Sequence, residues 1–279
     1  MFRYLYHLLV YGNIWIALGA SLMAIMHFQW TNGVIDWTYI FTLFGASVFL
    51  YAIHRKVGLD ENSRLYDIRF DDFIKMSKES DILGIAGFII TLVFGVFLPF
   101  EMVIWFAPAI VLSTLYVMPL GKKKLRLRDY GIIKIPVQSL IWAWLIVIIP
   151  QVLSSNELSG SVWLIFFEKF LFLFAITIPF DIRDMKVDSA QGVKTIPQII
   201  GKRNALLASY LMITLCIVIV FFLYFQNTYD QTFFAGLVLS YLTTLFLLIQ
   251  SKNREKDYWF SFLLDGTLVV QPLLVLLML

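Results

Sequence analysis

Long apolar stretches broken by short polar loops run through this chain from end to end. A helix crossing the hydrocarbon of a bilayer needs about 20 predominantly apolar residues. Nine runs of that order can be drawn: Leu8 to Phe28, Trp37 to Ile53, Ile82 to Phe100, Met102 to Leu120, Gly131 to Leu153, Val162 to Phe180, Ala205 to Gln226, Thr232 to Gln250 and Tyr258 to Leu279. With their linkers they use nearly the whole sequence, which predicts one domain over residues 1–279 and no separate soluble part. The expected fold class is an all-α membrane protein, a bundle of nine transmembrane helices. The run after Arg3 lacks a small-residue cleavage pattern and eight more runs follow it, so it reads as the first span and not as a removable signal.

Composition agrees with this pattern. Apolar residues make up 60% and charged residues 15% of the chain, and the mean hydropathy is +0.81, far outside the range of soluble domains. The lone Cys216 falls inside the seventh run, which excludes an intrachain disulfide or a cysteine-rich metal site.

The basic residues orient the bundle. If the first span starts in the cytoplasm, alternate loops collect every one of the 22 Lys and Arg except Lys134 and Lys169, while the opposite loops hold Asp36, Glu101, Glu157 and Asp230 and no base. The N-terminus is therefore expected inside, in the inner (cytoplasmic) membrane. The long loops after spans two and six lie on that side, and functional residues concentrate on such loops. The chemistry is expected to face the cytoplasm.

Asp181-Ile-Arg-Asp184-Met-Lys-Val-Asp188 follows span six with no helix breaker before Gly192 and reads as a continuation of that helix. At about 100° per residue the three aspartates fall within an arc of about 60°, with Arg183 and Lys186 turned away. Like charges at these spacings repel, so the stripe either holds a cation or is a solvated face screened by nearby bases. Oxygen-only ligands suit Mg²⁺, which uses one or two carboxylates together with substrate phosphates.

The longer string DIRDMKVDSAQGVKTIPQIIG, Asp181 to Gly201, resembles the second aspartate-rich motif of the UbiA-type intramembrane prenyltransferases, including Gly192, Lys194, Thr195, Pro197 and Gly201. The resemblance implies a UbiA-type bundle in which Asp184 and Asp188, supported by Asp181, bind the Mg²⁺ that holds the diphosphate of an isoprenoid donor. Tyr130 and Lys134 resemble the YxxxK element of the same family, which implies a grip on that diphosphate. Lys134 could instead snorkel its amine to the interface, and Lys122 to Arg128 reads first as a positive-inside anchor.

One element departs from the family pattern. The first aspartate-rich motif, roughly NDxxDxxxD at the end of span two, would fall on Leu50, Tyr51, His54 and Gly58. Three explanations stay open. His54, Arg55 and Lys56 bind the diphosphate directly; or Asp60, Asp67 or Asp71 reaches in from the long loop; or transfer activity is lost or redirected. The loop from Gly58 to Asp81 intersperses Leu65, Ile68, Phe73, Ile74 and Met76 with charge, and reads as an interfacial helix, a lid or a plain linker.

Polar residues at membrane depth are Asn13, Gln138, Glu168, Lys169, Asp265 and Gln271, either interhelical glue or functional groups. The 26 Phe, 13 Tyr and 8 Trp could line a greasy tunnel or simply face lipid. The resemblance implies an Mg²⁺-dependent prenyltransferase with a prenyl diphosphate donor and a hydrophobic, aromatic acceptor. Asp181, Asp184 and Asp188 would act at the metal and Lys134, Tyr130, Lys194, His54 and Arg55 on the diphosphate. The lipid bilayer is the expected surroundings and no nucleic acid is expected as partner. The rivals are a non-catalytic isoprenoid-binding bundle and a transporter built on Asp265, Glu168 and Lys169.

Overall fold

The structure is a computed structural model. It describes residues 2–31, 33–58, 69–118, 126–154, 157–254 and 256–279, with residues 2, 3, 57 and 58 described by their backbone alone. Asp60, Arg64, Leu65, Asp67, Ile68 and Lys122–Lys124, all singled out from the sequence, lie outside the described residues.

Every described element is helical. The order is α1 (Phe2–Tyr11), α2 (Ile14–Thr31), α3 (Trp37–Gly58), α4 (Phe70–Lys75), α5 (Ser77–Gly95), α6 (Met102–Val117), α7 (Gly131–Ala143), α8 (Ile149–Ser154), α9 (Gly160–Ala190), α10 (Ile196–Ile200), α11 (Lys202–Phe225), α12 (Gln231–Ser251) and α13 (Thr267–Leu276). A π-helical stretch, Trp144–Ile148, joins α7 to α8, and another, Trp259–Leu264, leads towards α13. Seven helices are long and apolar enough to cross a membrane: Ile14–Thr31, Trp37–Lys56, Gly131–Ser154, Gly160–Ala190, Lys202–Phe225, Gln231–Ser251 and Trp259–Leu276. The apolar α6 is shorter, and α5 opens with Lys78, Glu79 and Asp81 in its first turns.

Two sequence expectations are corrected here. The run Leu8 to Phe28 is not one helix, because Gly12 and Asn13 interrupt it and Asn13 takes a left-handed φ of 63°. Arg55 donates from α3 to the backbone carbonyls of Tyr11 and Val10, satisfying carbonyls that the end of α1 leaves orphaned. The third run begins at Ser77 and not at Ile82, since the charged first turn of α5 hides the helix start from an apolar count.

Small residues set the closest helix contact. A Cβ added at Gly87 would lie 2.7 Å from the carbonyl oxygen of Gly45, and one added at Gly45 would lie 2.6 Å from that of Gly87, so α3 and α5 touch backbone to backbone. From there the packing runs α3, α2, α13, α12, α11, α9, α7, α6 as an arc. The main core sits inside it, around Tyr39, Ile148, Phe172, Ile213 and Tyr241.

At 31 residues, α9 is about 46 Å long, well beyond a hydrocarbon thickness of about 30 Å. Its last turns therefore project past the apolar slab and carry Asp181, Asp184 and Asp188. Gly192, with a φ of 72°, lets the chain turn back so that the Val193 amide donates to the Asp188 carbonyl at 2.9 Å.

Candidate active site

Between α3 and the α6–α7 pair, against α9, lies a cavity of about 1070 Å³. Its lining runs along α3 from Tyr39 to Arg55, about 24 Å at the helical rise. The far end is apolar, walled by Leu98, Pro99, Met102 and Phe106. Phe100 and Val103, 86% and 55% exposed, form part of the wall, so the cavity is open to the lipid side.

The charged end collects Asp181, Asp184 and Asp188 from one face of α9, Lys134 from the first turn of α7, His54 and Arg55 from the end of α3, and Arg69, Arg128 and Arg183. Lys134 Nζ donates to Asp181 Oδ1 at 2.7 Å, so the lysine turns inward and does not snorkel. Asp181 is 1% exposed, and its Oδ2 has no hydrogen-bond partner; the same holds for the buried Oδ2 of Asp188. Asp184 differs. Arg183 forks onto both its oxygens at 2.8 and 3.1 Å, and Arg69 lies 3.2 Å from Oδ2.

Helical spacing alone turns Arg183 away from the aspartate stripe, which the structure corrects. Its side chain reaches back to Asp184 and, at 2.7 Å, to Asp257, packing its guanidinium over the rings of Phe180 and Phe260. Asp257 in turn accepts from Tyr11 and Ser261.

Tyr130 and Lys194 do not join the cavity. Tyr130 precedes α7 at φ −87°, ψ 86°, outside helical geometry, so the rule that residues four apart share a face does not hold for it and Lys134. It is 51% exposed. The Lys194 side chain is exposed, while its backbone packs on Gly131, where an added Cβ would meet the Lys194 carbonyl oxygen at 2.3 Å.

Leu50, Tyr51 and His54, which fall where the first aspartate-rich motif would be, all line the cavity. His54 packs against the Tyr51 and Tyr116 rings, and its Nε2 is buried without a partner. Gln138 donates to the Tyr51 hydroxyl at 3.3 Å. Asp265, just after the π-helical stretch, lines both the large cavity and a neighbouring one of about 40 Å³.

Among the described residues no group of three or more His, Cys, Asp and Glu is arranged to hold a metal by itself. Two unpartnered, buried carboxylate oxygens on one helix face, opening into a cavity large enough for a substrate, nevertheless fit Mg²⁺, which completes its shell with waters and substrate phosphates. Asp181 and Asp188 would hold it.

Sequence reasoning missed Arg128. The turn Leu127–Asp129 is closed by Arg126, which forks onto Asp129 at 2.8 and 3.1 Å. Burial alone would raise the Asp129 carboxyl, but the Arg126 contacts hold it below its usual range. This turn seats Arg128 against the end of α3, its Nη1 3.4 Å from the His54 carbonyl. In the run of bases before α7 nothing in the sequence distinguishes Arg128 from its neighbours.

A profile of the UbiA prenyltransferase family matches residues 76–265. The chain belongs to that family. Solved structures agree on the fold. A UbiA homologue from Archaeoglobus fulgidus bound to GPP and Mg²⁺ is 11% identical, with a TM-score of 0.67 over 98% of each chain. A UbiA homologue from Aeropyrum pernix K1 in its apo form is 16% identical, with a TM-score of 0.68 over 95% of this chain and 97% of that one. A digeranylgeranylglyceryl phosphate synthase is 15% identical, with a TM-score of 0.57 over 100% and 97%. No curated protein sequence matches this UbiA-family chain.

Proposed function

We propose that this protein transfers a prenyl group from an isoprenoid diphosphate to a hydrophobic, aromatic acceptor within the membrane, in an Mg²⁺-dependent reaction. The observation that carries the proposal is the pair of unpartnered buried oxygens, Asp181 Oδ2 and Asp188 Oδ2, facing a cavity whose remainder is apolar. Family membership and the GPP- and DMAPP-bound homologues support the donor class.

In this account the diphosphate sits at the charged end and the prenyl chain lies along α3. Lys134 fixes Asp181 and faces the phosphates, and the His54 imidazole and Arg55 stand on the opposite wall. Bound Mg²⁺ supplies charge that stabilises the departing diphosphate. Phe180 and Trp142 exclude water from the allylic carbon, and aromatic faces stabilise its developing positive charge. Preorganised positive groups around the leaving group are the main rate term.

The proposed topology keeps α5 and α6 as spans, giving nine, with one domain over residues 1–279. The N-terminus and the charged end face the cytoplasm across the inner membrane, as the sorting of bases indicates. Transport is less favoured, because Lys169 lines only a void of about 10 Å³ while Asp265 faces the large cavity. The test is transfer of labelled isoprenoid from prenyl diphosphate into membrane lipids. Asp188→Ala should abolish it and Glu168→Gln should retain it; the reverse pattern would overturn the proposal.

A further inference from the structure

The charge at the mouth is distributed unevenly. All the carboxylates at that end come from α9, whereas the wall formed by the end of α3 offers Tyr51 and His54, neither of them anionic at neutral pH. Of the three α9 aspartates, Asp184 is already held by Arg183 and Arg69, which leaves two oxygens, Asp181 Oδ2 and Asp188 Oδ2, for a cation. Two divalent ions on a diphosphate need carboxylates on both sides of it, and among the described residues only one side has them.

A diphosphate nevertheless carries more negative charge than one divalent ion cancels. Arg128 is placed to meet the remainder. It lines the cavity beside His54, its recorded hydrogen bond is a long one to a backbone carbonyl, and no carboxylate pairs with it at ion-pair distance. Its neighbours Arg126 and Asp129 close the turn that carries it, and Gly131 locks the following helix against the Lys194 carbonyl. A guanidinium presented on a fixed turn can fork onto phosphate oxygens, which a flexible lysine does less well.

We propose that the mouth of the cavity takes one divalent cation, held by Asp181 and Asp188, and that Arg128 binds the diphosphate on the α3 side in place of a second metal. This rests on the prenyl-diphosphate assignment above and narrows it. Arg128 is then a substrate-binding residue, and the missing carboxylates of span two are compensated by charge from the turn before α7.

The test uses full-length protein in lipid nanodiscs, the non-hydrolysable analogue geranylgeranyl S-thiolodiphosphate, and Mn²⁺ as a spectroscopic substitute for Mg²⁺. Paramagnetic resonance should count one Mn²⁺ retained per bound analogue. Arg128→Gln should weaken analogue binding roughly ten- to hundred-fold, as expected for lost charge-assisted hydrogen bonds. Arg128→Lys should recover part of that loss, and binding of geranylgeraniol, which lacks phosphate, should stay unchanged in both variants. Two Mn²⁺ per analogue would overturn the proposal while leaving the donor assignment standing, and would turn attention to Asp60 and Asp67. Equal loss of analogue and alcohol binding in Arg128→Gln would also overturn it, by marking the residue as structural. Failure of the wild type to bind the analogue, with or without metal, would overturn both.

Discussion

Two clusters of charge lie in this bundle, and they are built in opposite ways. In the interior of α9, Lys169 pairs with Glu168 at 3.1 Å and also donates to Tyr241 and Gln271, with Gln271 passing a hydrogen bond on to Ser240. Both charges are buried and face no sizeable space. Near the end of the same helix, Asp181 and Asp188 are buried too, yet each keeps an oxygen without a partner, beside a cavity of about 1070 Å³. A closed polar network specifies packing; an unfinished one beside a void is arranged to be completed by something that enters.

The contrast is broken most severely at its closed member. Lys169→Met would leave the Glu168 carboxylate buried and unpaired, at a cost of about 3–5 kcal/mol, read as a fall in thermal stability in detergent, while transfer per folded molecule should persist. The open cluster should answer the other way. Asp188→Asn should cut labelled prenyl transfer by roughly 100-fold or more and leave thermal stability unchanged or raised, because a neutral amide removes a buried, incompletely paired charge. If Asp188→Asn instead destabilised as Lys169→Met does, the two clusters would be equivalent and the contrast would vanish.

Smaller effects sharpen the frame around the open site. Gly87→Leu forces a side chain against the Gly45 backbone and should cost about 1–3 kcal/mol, opening the α3 wall and weakening donor binding with it. Asp129→Asn should cost at most about 1 kcal/mol, as for a half-exposed pair. The sign of its pH dependence follows from a carboxyl held below its usual range by Arg126: its contribution is present above the ordinary carboxylate pKa and is lost as pH falls through the lowered value. Tyr130→Phe, at an exposed position, should change stability by no more than about 0.5 kcal/mol and transfer by less than twofold, in contrast to Lys134→Met, which removes the partner of Asp181.

Much of this was legible in the sequence where the signal is periodic. Each long apolar run corresponds to a helix, and the aspartate stripe lies on one face of α9 because period alone fixes both. Side-chain reach and local backbone breaks are not periodic and were not legible. Arg183 bends back to Asp184 because its long stem packs on Phe180 and Phe260. Tyr130 leaves the expected stripe because it precedes the helix. The break at Asn13 depends on Arg55, more than 40 residues away and on another helix. Arg128 and Arg126 look alike in sequence, yet one lines the cavity and the other closes a turn.

The central claim, that Asp181 and Asp188 are left incomplete in order to hold a divalent ion against a phosphorylated prenyl chain, is tested most directly by titrating purified protein with a non-hydrolysable prenyl diphosphate analogue with and without Mg²⁺. Saturable binding that requires Mg²⁺ in the wild type, and that disappears in Asp188→Asn with the fold intact, is the predicted result. Binding of equal strength without Mg²⁺, or undiminished binding in Asp188→Asn, would contradict it.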